Sequence, residues 1–188
     1  MKNNANNKKV LLIDILDEEI KDILGNLKKI FSKKESSSNS IHITVRGPYY
    51  DITKKTKKFI QEFENKSGSH ININGVGLFE NDNQYVVYYK VEFPDEIDIK
   101  SIWKKPDYPK KNEFHPHISI YKGSDKNFAD KVYNFLKLQG KSFTAKDYKL
   151  SIRTIHQPDL FDNNINNEEL SYPILKDAIK LVEQYEYV

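Results

Sequence analysis

His42-Ile43-Thr44-Val45 and His117-Ile118-Ser119-Ile120 are the residues of this chain whose types and spacing could do chemistry. Each tetrapeptide sets an imidazole two residues before a hydroxyl, with β-branched residues between and after. Such residues favour strands, and a strand sends successive side chains to opposite faces. His42 and Thr44 therefore share one face of their strand, and His117 and Ser119 share one face of theirs. Ile43, Val45, Ile118 and Ile120 point the other way, into packing. One such tetrapeptide arises by accident in roughly a few per cent of chains this long. Two, each followed by a turn-like Gly, arise on the order of once in a thousand.

Two imidazoles facing one phosphate could divide acid and base work. One takes a proton from an attacking water or ribose hydroxyl, and the other protonates the leaving oxygen. With an ordinary pKa near ~6.5, His serves in either state at neutral pH. The Thr44 and Ser119 hydroxyls could donate to non-bridging phosphate oxygens, where negative charge builds in the transition state. Two His without carboxylate or Cys companions at ligand spacing make a poor zinc site, so no metal is expected. The competing reading is of two ordinary core strands whose His and hydroxyl groups meet local hydrogen-bond needs. The matching frames of the pair weigh against it.

The pair resembles the signature of the 2H phosphoesterase superfamily, which includes 2′–5′ RNA ligase-like proteins and RNA 2′,3′-cyclic phosphodiesterases. The separation of the motifs suits a family in which each belongs to one half of a two-lobed fold. The resemblance implies a bilobal, pseudo-twofold α+β architecture, with antiparallel sheets lining a central cleft and helices outside. It also implies a phosphodiesterase that needs no metal or cofactor. The substrate would be a nucleotide, oligonucleotide or RNA end carrying a 2′,3′-cyclic phosphate or a 2′–5′ linkage. His42 and His117 would then be the acid/base pair, with Thr44 and Ser119 on the phosphate; ligase activity would be the reverse of the same chemistry. Two rivals stand beside this reading. One is a nuclease for 2′–5′-linked or cyclic oligonucleotide signals of host immunity, as in some viral and phage relatives. The other is a module that binds nucleotides without turnover, although binding alone does not require two proton-transfer groups.

Residues around the motifs extend the expected site. Arg46 continues the His42–Thr44 face if the strand stays regular, and could hold a phosphate. Tyr121 continues the His117–Ser119 face and could stack on a base. His115 shares the frame of His117 across Pro116, which places it at the cleft edge. Trp103, the only Trp, lies in a Lys- and Pro-rich stretch, 100–111, that could be a nucleotide-binding flap or a plain solvated loop. His70 and His156 have no pattern around them and are read as structural.

The elements that must position these residues follow from periodicity. Val10 to Leu16 reads as a buried strand, and Asp17 as the N-cap of an amphipathic helix over 18–33. The first motif strand runs from Ile41 to Val45 or Arg46 and is ended by Gly47-Pro48. Asp51 caps a helix over 52–65, with its Lys residues mostly outward. His70 to Glu80 and Gln84 to Phe93 form a hairpin through Asn81-Asp82-Asn83, and 94–113 is a long connection. After the second motif strand, Ser124 or Asp125 caps a helix that stops near Gly140. Residues 142–156 read as strand, broken near Asp147, and 162–169 as an Asn-rich loop. A last helix over 172–184 carries Leu175, Ile179 and Val182. This order of elements predicts α+β.

Composition bounds the rest. At 188 residues the chain fits one domain over 1–188, with a frayed 1–8. The absence of Cys excludes disulfides and thiolate chemistry and fits a reducing compartment. With no secretory signal and no long apolar run, a cytoplasmic, membrane-free monomer is expected. The net charge of +3 is too small to argue for long nucleic acid. The basic residues are nearly all Lys; Arg46 and Arg153 are the exceptions.

Overall fold

The apolar run at the start of the chain becomes the strand that joins most of one sheet. A computed structural model of the protein describes residues 8–32, 40–49, 54–64, 69–81, 83–95, 99 and 115–155, with positions 176, 178 and 180. Strand β1 (Lys8–Ile15) is flanked by β2 (His42–Tyr49) and β7 (Tyr148–Ile155) in a three-stranded antiparallel sheet, order β2-β1-β7. Strands β3 (Ile71–Asn81), β4 (Gln84–Glu92), β5 (His117–Gly123) and β6 (Ser142–Ala145) form a second antiparallel sheet, order β5-β4-β3-β6. Helices α1 (Glu18–Ser32), α2 (Lys54–Glu64) and α3 (Lys126–Gln139) complete the described elements of an α+β fold.

The hairpin forms as its turn chemistry dictates: Asn81 pairs Gln84, and Asn83 takes the left-handed conformation, φ 59°, that Asn tolerates. Helix α3 begins where Asp125 accepts from the Phe128 amide at 3.1 Å, and ends at Gly140, whose φ of 60° suits a residue without a Cβ. Helix α1 buries Ile20, Ile23, Leu24, Leu27 and Phe31. Phe31 meets Phe135 of α3 edge-on, with ring centroids 5.8 Å apart. One hydrophobic core draws on both sheets, from Leu11, Ile13 and Ile43 to Ile73, Tyr89 and Ile118. Lys57 and Lys58 on α2 face solvent, as expected, while Phe63 packs against Tyr148 of β7.

Two expectations are corrected here. Gly47-Pro48 does not end the first motif strand, which runs on to Tyr49. β2 is the outer strand of its sheet and its register is irregular beyond Leu11, and Pro is tolerated at edges and bulges, where no ladder donor is required of it. Asp17 does not cap α1 with its side chain. Its Oδ2 accepts instead from the amides of Lys146 and Asp147, at 2.7 and 2.9 Å. Those amides lie at the break expected near Asp147, where the chain leaves the second sheet as β6 and enters the first as β7. Of the last helix, 176, 178 and 180 are helical and Ala178 is buried. Leu175, Ile179 and Val182 lie outside the described residues, as do 162–169 and nearly all of 96–114. No described helix is long and apolar enough to cross a membrane.

Candidate active site

The two motif strands are the outer strands of their sheets, and they come together: β2 and β5 approach with Cα atoms within 8 Å. On each, the alternation read from sequence holds through the motif. Ile43, Val45, Ile118 and Ile120 are buried in the core. His42, His117 and Ser119 are half-buried and Thr44 is exposed. Cross-strand partners share a face, so His42 lies beside Asp14 and Thr44 beside Leu12, while His117 lies beside Lys90 and Ser119 beside Tyr88.

Both imidazoles are anchored in the same way. The His117 Nδ1 lies 2.7 Å from the carbonyl oxygen of His115. The His42 Nδ1 lies 3.3 Å from the carbonyl oxygen of Ser40 and 3.2 Å from its Oγ. A carbonyl only accepts, so the His117 Nδ1 donates to it; the His42 Nδ1 donates to the Ser40 carbonyl in one tautomer and accepts from the Ser40 hydroxyl in the other. In the neutral tautomer with hydrogen on Nδ1, the Nε2 lone pair is left for chemistry.

The surroundings of the two rings differ. Behind His42, Asp14 is only 8% exposed, and Ser151 donates to its Oδ2 at 2.6 Å. Arg153 Nη2 donates to Asp14 Oδ1 and, at 2.8 Å, to Ser40 Oγ. Lys28 of α1 donates to the Ser40 carbonyl at 3.3 Å. Burial pushes the His42 pKa below its ordinary value, and Lys28 and Arg153 push it the same way, against the Ser40 hydrogen bond and Asp14. Burial, helped by Arg153, also lowers the Lys28 pKa. His117 sits instead among rings: Phe79 edge-on at 5.1 Å and Tyr88 tilted at 5.0 Å between centroids, with Phe79 stacked on Tyr88 at 4.2 Å. Burial lowers the His117 pKa; its bond to the His115 carbonyl opposes this, and the His115 ring adds to it. Among the described residues, no three His, Asp or Glu side chains are grouped to hold a metal ion.

A feature not expected from sequence recurs just past each motif. In β5 the register slips between Tyr88–Ser119 and Val87–Tyr121, and in β2 between Leu12–Thr44 and Leu11–Arg46. Each motif strand thus carries one extra residue, Val45 or Ile120, directly after its hydroxyl residue. Such a bulge breaks the period of two. Tyr121 therefore leaves the His117–Ser119 face. It pairs with Val87, is 8% exposed in the core and packs on Phe128 with centroids 4.9 Å apart. The expectation that Tyr121 faces the substrate is corrected. The same slip sets Arg46 opposite Leu11 in the ladder; its side chain lies outside the described residues. Trp103 and His156 also lie outside them. His115 is exposed, its ring 6.2 Å from that of Phe79, and its recorded bond to His117 is made through its backbone carbonyl. His70 is exposed just before β3.

Sequence reasoning missed Asp14, Lys28, Ser40 and Arg153 behind His42, and Phe79 and Tyr88 beside His117. Two signals were available: Asp14 is the one charge inside the run Val10 to Leu16, and Arg153 is one of only two arginines.

No protein-family profile matches this chain, and no curated protein does. Among solved structures the chain is similar to Usb1 of Kluyveromyces marxianus, at 12% identity and a TM-score of 0.49, over 80% of this chain and 98% of that one. It is likewise similar to the structure of Kluyveromyces marxianus Usb1 with uridine monophosphate, at 13% identity and a TM-score of 0.45, with the same coverage.

Proposed function

We propose that this protein is a phosphodiesterase of the 2H type, which hydrolyses a nucleotide or RNA phosphodiester with two histidines and no metal. The substrate class is a 2′,3′-cyclic phosphate or a 2′–5′ linkage. One observation carries the reading: two His-apolar-hydroxyl strands approach one another, and in each the carbonyl two residues before the imidazole lies within hydrogen-bond distance of its Nδ1. Packing alone does not call for the same backbone partner at both imidazoles.

In this reading the neutral ring takes a proton from water at Nε2 as the water oxygen bonds to phosphorus. The protonated ring gives its Nε2 proton to the ribose oxygen as the phosphorus–oxygen bond breaks. The Thr44 and Ser119 hydroxyls donate to the non-bridging oxygens, whose charge rises in the transition state. The two rings end with their protonation states exchanged and return to the start through bulk water.

The test is turnover of 2′,3′-cyclic mononucleotides, 2′–5′ oligoadenylate and cyclic dinucleotides in excess EDTA. Hydrolysis of at least one, lost in His42→Ala and His117→Ala, is expected. Binding of all of them without hydrolysis would replace the reading with a nucleotide-binding module.

A further inference from the structure

The network behind His42 brings together parts of the chain that sequence keeps far apart. Asp14, His42 and Lys149 are ladder partners across β2, β1 and β7, and Ser151 and Arg153 follow on the same face of β7. A nearly buried carboxylate such as Asp14 is costly unless both oxygens are satisfied, and here Arg153 takes one and Ser151 the other. That pairing holds the Arg153 guanidinium in place. The same Nη2 reaches on to Ser40 Oγ, and Ser40 holds the Nδ1 side of His42. From α1, Lys28 grips the same Ser40 carbonyl.

We infer that Asp14, Arg153 and Ser40 form a positioning relay that keeps His42 as the neutral proton acceptor of the pair, leaving His117 as the proton donor. The inference rests on the phosphodiesterase reading for the meaning of those two roles, and on geometry for the relay itself. The charged groups around His42 are Asp14 on β1, Arg153 and the exposed Lys149 on β7, and Lys28 on α1. Asp14 offsets Arg153, and among the described residues no carboxylate is paired with Lys28, a second cation near the ring. A proton added to His42 would therefore enter a positive, half-buried site. His117 meets a different setting: a single short bond to a carbonyl, flanking rings, and a cross-strand Lys90 that is exposed and screened by water. A protonated ring is better tolerated there, because its Nδ1–carbonyl contact is 2.7 Å against 3.3 Å at His42 and strengthens when the ring is charged.

The test uses the full chain. Imidazole resonances of His42 and His117 are titrated by NMR without substrate, in the wild type and in Arg153→Met, Arg153→Lys and Ser40→Ala. In Arg153→Met the His42 midpoint should rise, because one cation is gone and Asp14 loses its ion pair, while the His117 midpoint stays. One nitrogen makes both Arg153 contacts, so Arg153→Lys should return the His42 midpoint most of the way; a merely structural role predicts no such rescue. Ser40→Ala, which keeps the carbonyl and removes the nearer Nδ1 partner, should change the tautomer balance of His42 and serves if Arg153→Met does not fold. With 2′,3′-cyclic AMP as the probe, kcat/KM of Arg153→Met should fall by about tenfold to a hundredfold, as small misplacement of a reacting group does. Its acidic limb should move with the His42 midpoint.

An unchanged His42 midpoint and tautomer in folded Arg153→Met and Ser40→Ala would overturn the relay, whatever the turnover. An alkaline limb that tracks His42 would overturn the assignment of roles. If the midpoints move as stated but the wild type hydrolyses no phosphodiester, the relay holds as a structural device and the phosphodiesterase reading is what fails.

Discussion

Gly77→Ala tests how the fold supports the second imidazole. Gly77 is buried on β3 opposite Tyr88, and a Cβ built there overlaps the Cζ and Oη of the Tyr88 ring. The ring has little room to slide, since Phe79 stacks on it at 4.2 Å and 22° and His117 lies 5.0 Å away. Overpacking of this kind costs about 1–3 kcal/mol. Loss of the Phe79 stack would add about 0.5–1.5 kcal/mol. Urea unfolding should therefore show a midpoint lowered by roughly 1 M, at the usual slope for small proteins. If the Tyr88 ring is pushed toward His117, the imidazole is displaced by a fraction of an ångström to about 1 Å. A displacement of that size lowers turnover by up to about a hundredfold. The assay is kcat/KM on the best substrate of the panel, measured beside the unfolding curve. Tyr88→Leu should make room for the new methyl, so the double variant should be more stable than the sum of the single changes predicts, by about 1 kcal/mol or more. A Gly77→Ala protein with wild-type stability and wild-type kcat/KM would refute the claim that Tyr88 buttresses His117.

Further outcomes follow from the site and the fold. His42→Ala or His117→Ala should lower turnover by about two to four orders of magnitude, and Thr44→Ala or Ser119→Ala by roughly one to three; circular dichroism should show all four folded, and EDTA should leave the wild type active. The rate profile of the free enzyme should be bell-shaped and peak on the acid side of neutrality, because burial pushes both imidazole pKa values down; a profile flat from about pH 5 to 9 would contradict His acid–base catalysis. Stability should follow the same sign: folding lowers both imidazole pKa values, so their contribution is complete above about pH 6.5 and is lost as pH falls through the lowered folded values. Thermal melts should show that loss, and the double variant His42→Gln/His117→Gln should flatten it. Asp17→Ala leaves the Lys146 and Asp147 amides without their acceptor and should cost about 1–3 kcal/mol in chemical denaturation, with kcat unchanged.

What the sequence determined by itself was local. A period of two is a property of one strand, so the shared faces of His42 with Thr44 and of His117 with Ser119, and the burial of Ile43 and Ile118, were legible before any partner strand was known. Helical spacing in α1 and α3, the Asp125 and Gly140 caps and the Asn83 turn were legible for the same reason: each depends on contacts a few residues apart. The tertiary structure decided whatever depended on a neighbour. Whether a strand keeps its period is set by its partner's register, so the extra residue after each hydroxyl, which turned Tyr121 into the core, could not be read from β5 alone. That Asp17 would serve the 146–147 amides rather than α1 required the chain to cross between sheets at Asp147. The relay behind His42 joins residues 14, 40 and 153, and the rings around His117 come from β3 and β4. No short-range pattern links such positions, because the free energy that brings them together comes from packing two sheets on one core.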